Sequence, residues 1–147
     1  MHIDELIARE RVRDTVAAYT HAGDRARLDD LAACFTEDGV LEIKGQRSAQ
    51  GREAIVRMLG QNAVGDGVDR RSGGRFFIRH FVTNLRFDRI TPERIESSAY
   101  FLVFTGAGPD HWGRYRDVLV PEGDRWLFAH RIAAVDTVAD GSWFATR

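Results

Sequence analysis

The chain is poor in cysteine and lysine and has no long apolar run, and each scarcity bounds what it can be. Its single cysteine, Cys34, excludes an internal disulfide and fits a reducing cytoplasm. Set in the apolar helical stretch Leu31–Phe35, that thiol reads as a core filler rather than a nucleophile. No apolar run approaches the ~20 residues that a membrane span requires. Met1 to Leu6 carry no basic stretch followed by an apolar one, so no secretory signal is expected and the cytoplasm is the expected location. Lys44 is the only lysine, an arginine bias best read as genome composition. With 21 basic residues interleaved among 22 acidic ones, no footprint for nucleic acid emerges. The densest cluster, Arg70, Arg71 and Arg75, lies in a Gly/Asp-rich loop and reads as solvated or as a subunit contact. There is no G-x-G-x-x-G or phosphate-binding loop, and no Ser or Cys nucleophile motif. The five histidines lack tight ligand spacing. Neither cofactor nor metal is therefore expected.

At 147 residues, 44% of them hydrophobic, the chain is expected to form one domain, with a core over about 3–136 and a tail over 137–147. Leu6, Ile7, Val12, Val16 and Tyr19 recur at helical spacing from Ile3 to about His21. A second helix is predicted from Leu28 to Phe35 with Asp24 as its cap, then a short strand over Val40–Ile43. Gly51 precedes a third helix carrying Ile55, Val56, Met58 and Leu59. Residues 63–75 read as a functional or mobile loop. From Phe76 the period becomes two, predicting strands over Phe76–Ile90, Arg94–Phe104, His111–Val120 and Arg125–Val135 joined by tight turns. Helices first and a meander after predict an α+β fold with the helices on one face of a mostly antiparallel sheet. The two aromatics of the tail, Trp143 and Phe144, are expected to pack over a cavity mouth or against a second subunit. Trp112, Val118, Leu127 and Val135 would give the sheet an apolar outer face that favours association.

His80 lies in Arg79–Leu85, alternating with Ile78 and Val82, where an unpaired imidazole would be costly. Tyr19 and Asp24 on the first helix offer a phenol and a carboxylate, and a His–carboxylate pair beside a phenol is the equipment of a general base. The competing reading is a core histidine bonded to Asp24 only for satisfaction. Tyr19 reads either as a helix-core aromatic or as a phenol facing the pocket. Strict alternation puts Arg131 opposite Trp126, Phe128 and His130, so a β-bulge must re-aim it for it to face the pocket; otherwise His130 takes its place. His111–Trp112 reads as a strand start. Phe76, Ile78, Val82, Tyr100, Phe104, Tyr115 and Trp126 are the candidate pocket wall, suited to a small hydrophobic or aromatic molecule.

Five stretches in order carry a resemblance: Tyr19 to Gly39, Gly51–Ile55, Arg79–Asn84, Gly113–Asp117, and Gly123–Trp126 with Arg131. Together they resemble the nuclear transport factor 2-like superfamily, in its SnoaL-like polyketide-cyclase and scytalone-dehydratase-like branch. The resemblance implies a cone-shaped, strongly bent sheet that encloses a deep pocket with three N-terminal helices. In the dehydratase, bile-acid 7α-dehydratase and hexachlorocyclohexane dehydrochlorinase, a strand His paired with a helical Asp removes a proton beside a leaving group. His80 and Asp24 fall on those positions. Tyr19 falls where these enzymes carry a Tyr or Lys that assists the leaving group or holds the substrate, and Arg131 where two of them line the pocket with an Arg. Gly23 stands where the melanin-pathway dehydratase has a tyrosine, and Phe104 near the place of its second pocket histidine. Gly113 and Tyr115 replace its small polar pair, and the bile-acid enzyme's extra pocket acid has no counterpart. A cofactor-independent lyase or isomerase acting on a small hydrophobic cyclic molecule is the expectation. His80, Asp24 and Tyr19 would be catalytic, with Arg131, Phe104, Tyr115, Tyr100 and Trp126 binding substrate, in a homodimer or homotrimer. A non-catalytic binding or partner domain of the same fold, or the small subunit of a ring-hydroxylating dioxygenase, is the alternative.

Overall fold

The computed structural model describes residues 1–61, 67–68 and 75–146. The rest of the predicted 63–75 loop, Arg70 and Arg71 with it, lies outside the described residues.

Helix α1 (Ile3–Asp24) buries Ala8, Val12, Thr15, Val16, Tyr19 and Ala22, one stripe at helical spacing. It stops at Asp24 because the chain turns at Ala26, whose φ is 55°. Helix α2 (Leu28–Ala32) is shorter than its apolar run suggested, since Phe35 already begins strand β1 (Phe35–Ile43). Strand β2 (Arg47–Gln50) was not expected and pairs antiparallel with β1. Helix α3 (Arg52–Gly60) follows Gly51, which takes φ 87°. Short strands β3 (Gly67–Val68) and β4 (Arg75–Phe76) pair antiparallel, so Phe76, expected to open the long strand, belongs to β4 instead. The meander then runs as β5 (Ile78–Ile90), β6 (Ile95–Thr105), β7 (Gly108–Glu122) and β8 (Arg125–Val138). Among the described residues, no helix is long and apolar enough to cross a membrane.

The larger sheet has six strands in the order β2-β1-β8-β7-β6-β5. All its pairings are antiparallel except β1 with β8, so the sheet is mixed and unclosed, with the helices on its concave side. Its curvature has a local cause. Register shifts between Thr83 and Arg86, at Asp110, at Ala129 and at Asp136 each insert unpaired residues and bend a long strand. The bulge at Ala129 decides the parity of β8: Val118 faces His130 while Leu119 faces Phe128. Arg131, Ala133 and Val135 thereby come to the inner face, and His130 turns out to meet Glu42 at 3.1 Å. Val135 therefore leaves the expected outer set, and Leu127 is buried as well. Gly113 has no alternative at its position, because a Cβ there would sit 2.0 Å from the carbonyl oxygen of Ala134.

The core forms two clusters. One packs α1 and α2 against Phe35, Leu41, Leu119, Trp126 and Phe128. The other lies farther along the strands, with Ile78, Phe101, Val103 and Tyr115. A cavity opens between the helices and that second cluster.

Candidate functional site

The cavity holds about 300 Å³ and draws its wall from every layer. Tyr19, Thr20 and Gly23 of α1 form one side, with Leu28, Leu31 and Leu59 beside them. Ile43, Ile78, Phe101, Tyr115, Ala133 and Val135 line the sheet side. Gln46 and Arg47 stand at the turn after β1, and Trp143 and Phe144 of the C-terminal tail complete the enclosure. The polar wall is thus made of hydroxyls, an amide, a guanidinium and two imidazoles, His80 and His111.

His80 is bound twice by one carboxylate. Its backbone N–H donates to Asp24 Oδ2 at 3.0 Å, and its Nδ1 lies 2.5 Å from Asp24 Oδ1. A ring nitrogen facing a carboxylate carries the proton, which leaves Nε2 as the nitrogen available to a cavity occupant. Asp24 is the last residue of α1 and spends both oxygens on His80. It does not cap α2, whose N-cap is Arg27 with no side-chain cap bond.

Tyr19 reaches the cavity and also packs edge-on against Phe35, Tyr115 and Phe128. Burial pushes its phenol above its ordinary value, so the hydroxyl keeps its proton at neutral pH and is a donor. Tyr115, on the wall beside it, is raised in the same way by burial.

His111 was missed as a site residue. Val103 pairs with His80 on one side and His111 on the other, so the two histidines share a rung, about 10 Å apart at the backbone from two strand spacings. Phe104, near whose place the resemblance put a second pocket histidine, lies on the outer face of β6, and the cavity's second imidazole comes from His111 on β7. Its Nδ1 meets Asp110 Oδ2 at 2.8 Å. Burial lowers His111, and His80 lowers it further, while Asp110 pulls the other way. Burial alone would raise Asp110, but hydrogen bonds from His111, Ser142 and two backbone N–H groups outweigh it and hold the carboxyl low. The sequence signal was an Asp-His step at the end of a turn, where a bulge buries both side chains.

Four expected binding residues lie elsewhere. Arg131 is inward, as the bulge reading required, but lies beneath the wall with no exposed surface. Its Nε and Nη2 bond Asp117 at 2.8 and 2.9 Å, and its guanidinium packs on Tyr19, Tyr115 and Phe128. Burial works against that charge, yet the Asp117 carboxylate, by its charge and its hydrogen bonds, more than offsets it and keeps Arg131 ionised. Tyr100 and Phe104 occupy the outer face of β6, Tyr100 exposed and Phe104 against Phe81. Trp126 sits in the helix-side core, where its carbonyl accepts from the Thr15 hydroxyl. Of the other expected wall residues, Ile78 lines the cavity, Val82 packs in the core, and Phe76 lies against Trp143. Among the described residues, no group of three or more His, Cys, Asp or Glu could hold a metal ion.

The chain is similar to several proteins of solved structure. A Catenulispora acidiphila structure is 30% identical, with 92% of this chain and 96% of that one covered at a TM-score of 0.76. A second from that organism, in complex with S-DNPA, is 32% identical over 87% of this chain and 92% of that one, with a TM-score of 0.72. ActVI-ORFA from Streptomyces coelicolor shares the fold at 23% identity, over 87% and 96% of the two chains, with a TM-score of 0.72. No curated protein sequence matches the chain. The model of the SnoaL-like domain matches residues 4–132, and the chain belongs to that family.

Proposed function

We propose that the cavity carries out a general acid–base elimination or isomerisation on a small, hydrophobic, cyclic molecule. The observation that supports this most is the 2.5 Å contact between His80 and Asp24 on the wall of an aromatic-lined cavity. His80 Nε2 removes a proton from a carbon next to a carbonyl or a leaving group. Asp24 fixes the tautomer and stabilises the imidazolium that forms. The electron pair left on carbon moves into a new double bond or an enolate. Tyr19 donates to the oxygen that departs or enolises, and Tyr115 and His111 stand within the same cavity to hold the remaining oxygens.

The reading includes a cytoplasmic location, no cofactor, and no nucleic-acid or membrane partner. It also includes a homodimer or homotrimer formed through the outer sheet face, where Phe81 and Tyr100 are 52% and 57% exposed. The S-DNPA complex of a relative at 32% identity supports a small-molecule ligand for this chain too.

The test is a screen of hydrophobic cyclic alcohols and ketones for loss of water, or for deuterium exchange beside the carbonyl. His80→Ala should lower turnover by about 10²–10⁴-fold while the fold and ligand binding persist. Turnover that survives in that variant would refute the base. Tight binding without turnover in the wild type would favour the non-catalytic binding domain, and co-purification of an iron–sulfur subunit the dioxygenase small subunit.

A further inference from the structure

One carboxylate holds both an imidazole of the cavity and the tail that closes it. Asp110 is the residue inserted in β7 between the rungs Val103–His111 and Phe104–Pro109, and it is buried together with His111. Its Oδ2 accepts from His111 Nδ1 at 2.8 Å, from the Ser142 hydroxyl at 2.7 Å, and from Phe144 N–H at 3.3 Å. Its Oδ1 accepts from the backbone N–H of Trp143 at 2.7 Å, and its carbonyl accepts from Ala139 N–H at 2.8 Å. The Phe144 ring stacks on the His111 imidazole with centroids 4.4 Å apart and planes at 24°.

We propose that Asp110 is a positioning residue that couples closure of the cavity by the C-terminal tail to the orientation of the His111 imidazole. With the tail docked, the Nδ1 proton of His111 is fixed on Asp110 and its ring face on Phe144. Nε2 is then the nitrogen left for a ligand. With the tail lifted, Asp110 loses the Ser142 and backbone donors, and His111 loses its stacking partner and most of its cover. A molecule entering past the tail meets a loosely held imidazole, and the tail's return aligns it. This coupling rests on the proposed function only in taking the cavity to receive a ligand, and it is measurable without turnover.

The titratable groups acting on His111 are Asp110 on its own strand and His80 across the rung. Burial is the larger influence and holds the ring below its ordinary 6.5. Nitrogen-15 NMR of the full chain reads the midpoint and tautomer of His111, and stopped-flow fluorescence with 1-anilinonaphthalene-8-sulfonate reads entry into the cavity. In Ser142→Ala/Phe144→Ala, the His111 midpoint should rise toward 6.5, its tautomer preference weaken, and the dye enter several-fold faster. Asp110→Asn should move the midpoint the opposite way, because it removes the negative charge that favours the imidazolium. A folded double variant with unchanged midpoint and dye entry overturns the coupling. If that variant fails to fold, Phe144→Leu replaces it: a shifted midpoint supports the coupling and an unshifted one overturns it. Failure of every cyclic compound to turn over would sink the lyase reading and leave these measurements standing.

Discussion

Two carboxylate-bound side chains, Arg131 and His80, stand on the inner face of one sheet in opposite surroundings. Asp117–Arg131 has no exposed side-chain surface, makes two short bonds and is walled by three aromatic rings. Asp24–His80 is shorter still, but its imidazole keeps 22% of its surface and borders the cavity. A pair enclosed on all sides can only hold the fold. A pair with one nitrogen left open can exchange a proton. Tyr19 belongs to both, its ring packed on the guanidinium and its side chain on the cavity wall.

The sharpest way to break this contrast is to unpair the enclosed charge. Asp117→Ala should cost about 3–5 kcal/mol in urea unfolding, because it strands a buried guanidinium. Asp117→Leu/Arg131→Met should recover most of that loss, since apolar replacement of a buried pair is often neutral. A single variant as stable as the wild type would show that the pair is not scaffolding. Asp24→Asn probes the open pair. It should lower turnover by about 10²-fold or more through loss of the fixed tautomer, with a smaller effect on stability. Equal losses of stability at Asp24 and Asp117 would erase the distinction.

A pH series gives a smaller effect. His111 lies below its ordinary 6.5 in the folded chain, so the unfolded chain takes up that proton first as pH falls. Stability should therefore decline from pH 6.5 downward, by at most about 1.4 kcal/mol per pH unit, until the folded chain binds the proton too. Asp110, also lowered, extends the loss below its ordinary 3.8. His111→Gln should flatten the upper part of that slope in denaturant melts. The smallest effect on the single chain belongs to the outer face: Tyr100→Ala should leave ligand affinity unchanged and the stability of the dissociated chain within about 0.5 kcal/mol, its cost falling on association instead.

The meander and the Asp24–His80 contact were legible because each rests on local pattern: period-two strands with turn residues between them, and one polar residue in need of a partner. What failed to read depends on parity. Tyr100-Phe101-Leu102-Val103-Phe104 is apolar on both faces, so alternation could not say that Phe101 and Val103 turn inward while Tyr100 and Phe104 turn out. Trp126 is inward, but it lies before the Ala129 bulge and packs under α1, away from the cavity. Arg131 had two open fates, and the bulge chose one while Asp117 on the next strand closed it off. Strand β2 carries Arg47, Ser48, Ala49 and Gln50, with no large apolar residue to announce it. His111 needed both a bulge and a tail from the far end of the chain.

The parallel pairing of β1 beside β8 also orders events during synthesis. Phe35 and Val40 to Ile43 have no β8 partner until Phe128 to Ala133 have left the ribosome. At about 5–20 residues per second, the early helices and β1 wait several seconds beside an incomplete sheet. The hairpins of β5 to β8 form meanwhile from neighbouring sequence, as local contacts allow. The fold thus closes last along the seam that joins its first strand to its final one, and a translational pause before that point would prolong exposure of Leu31, Phe35 and Leu41.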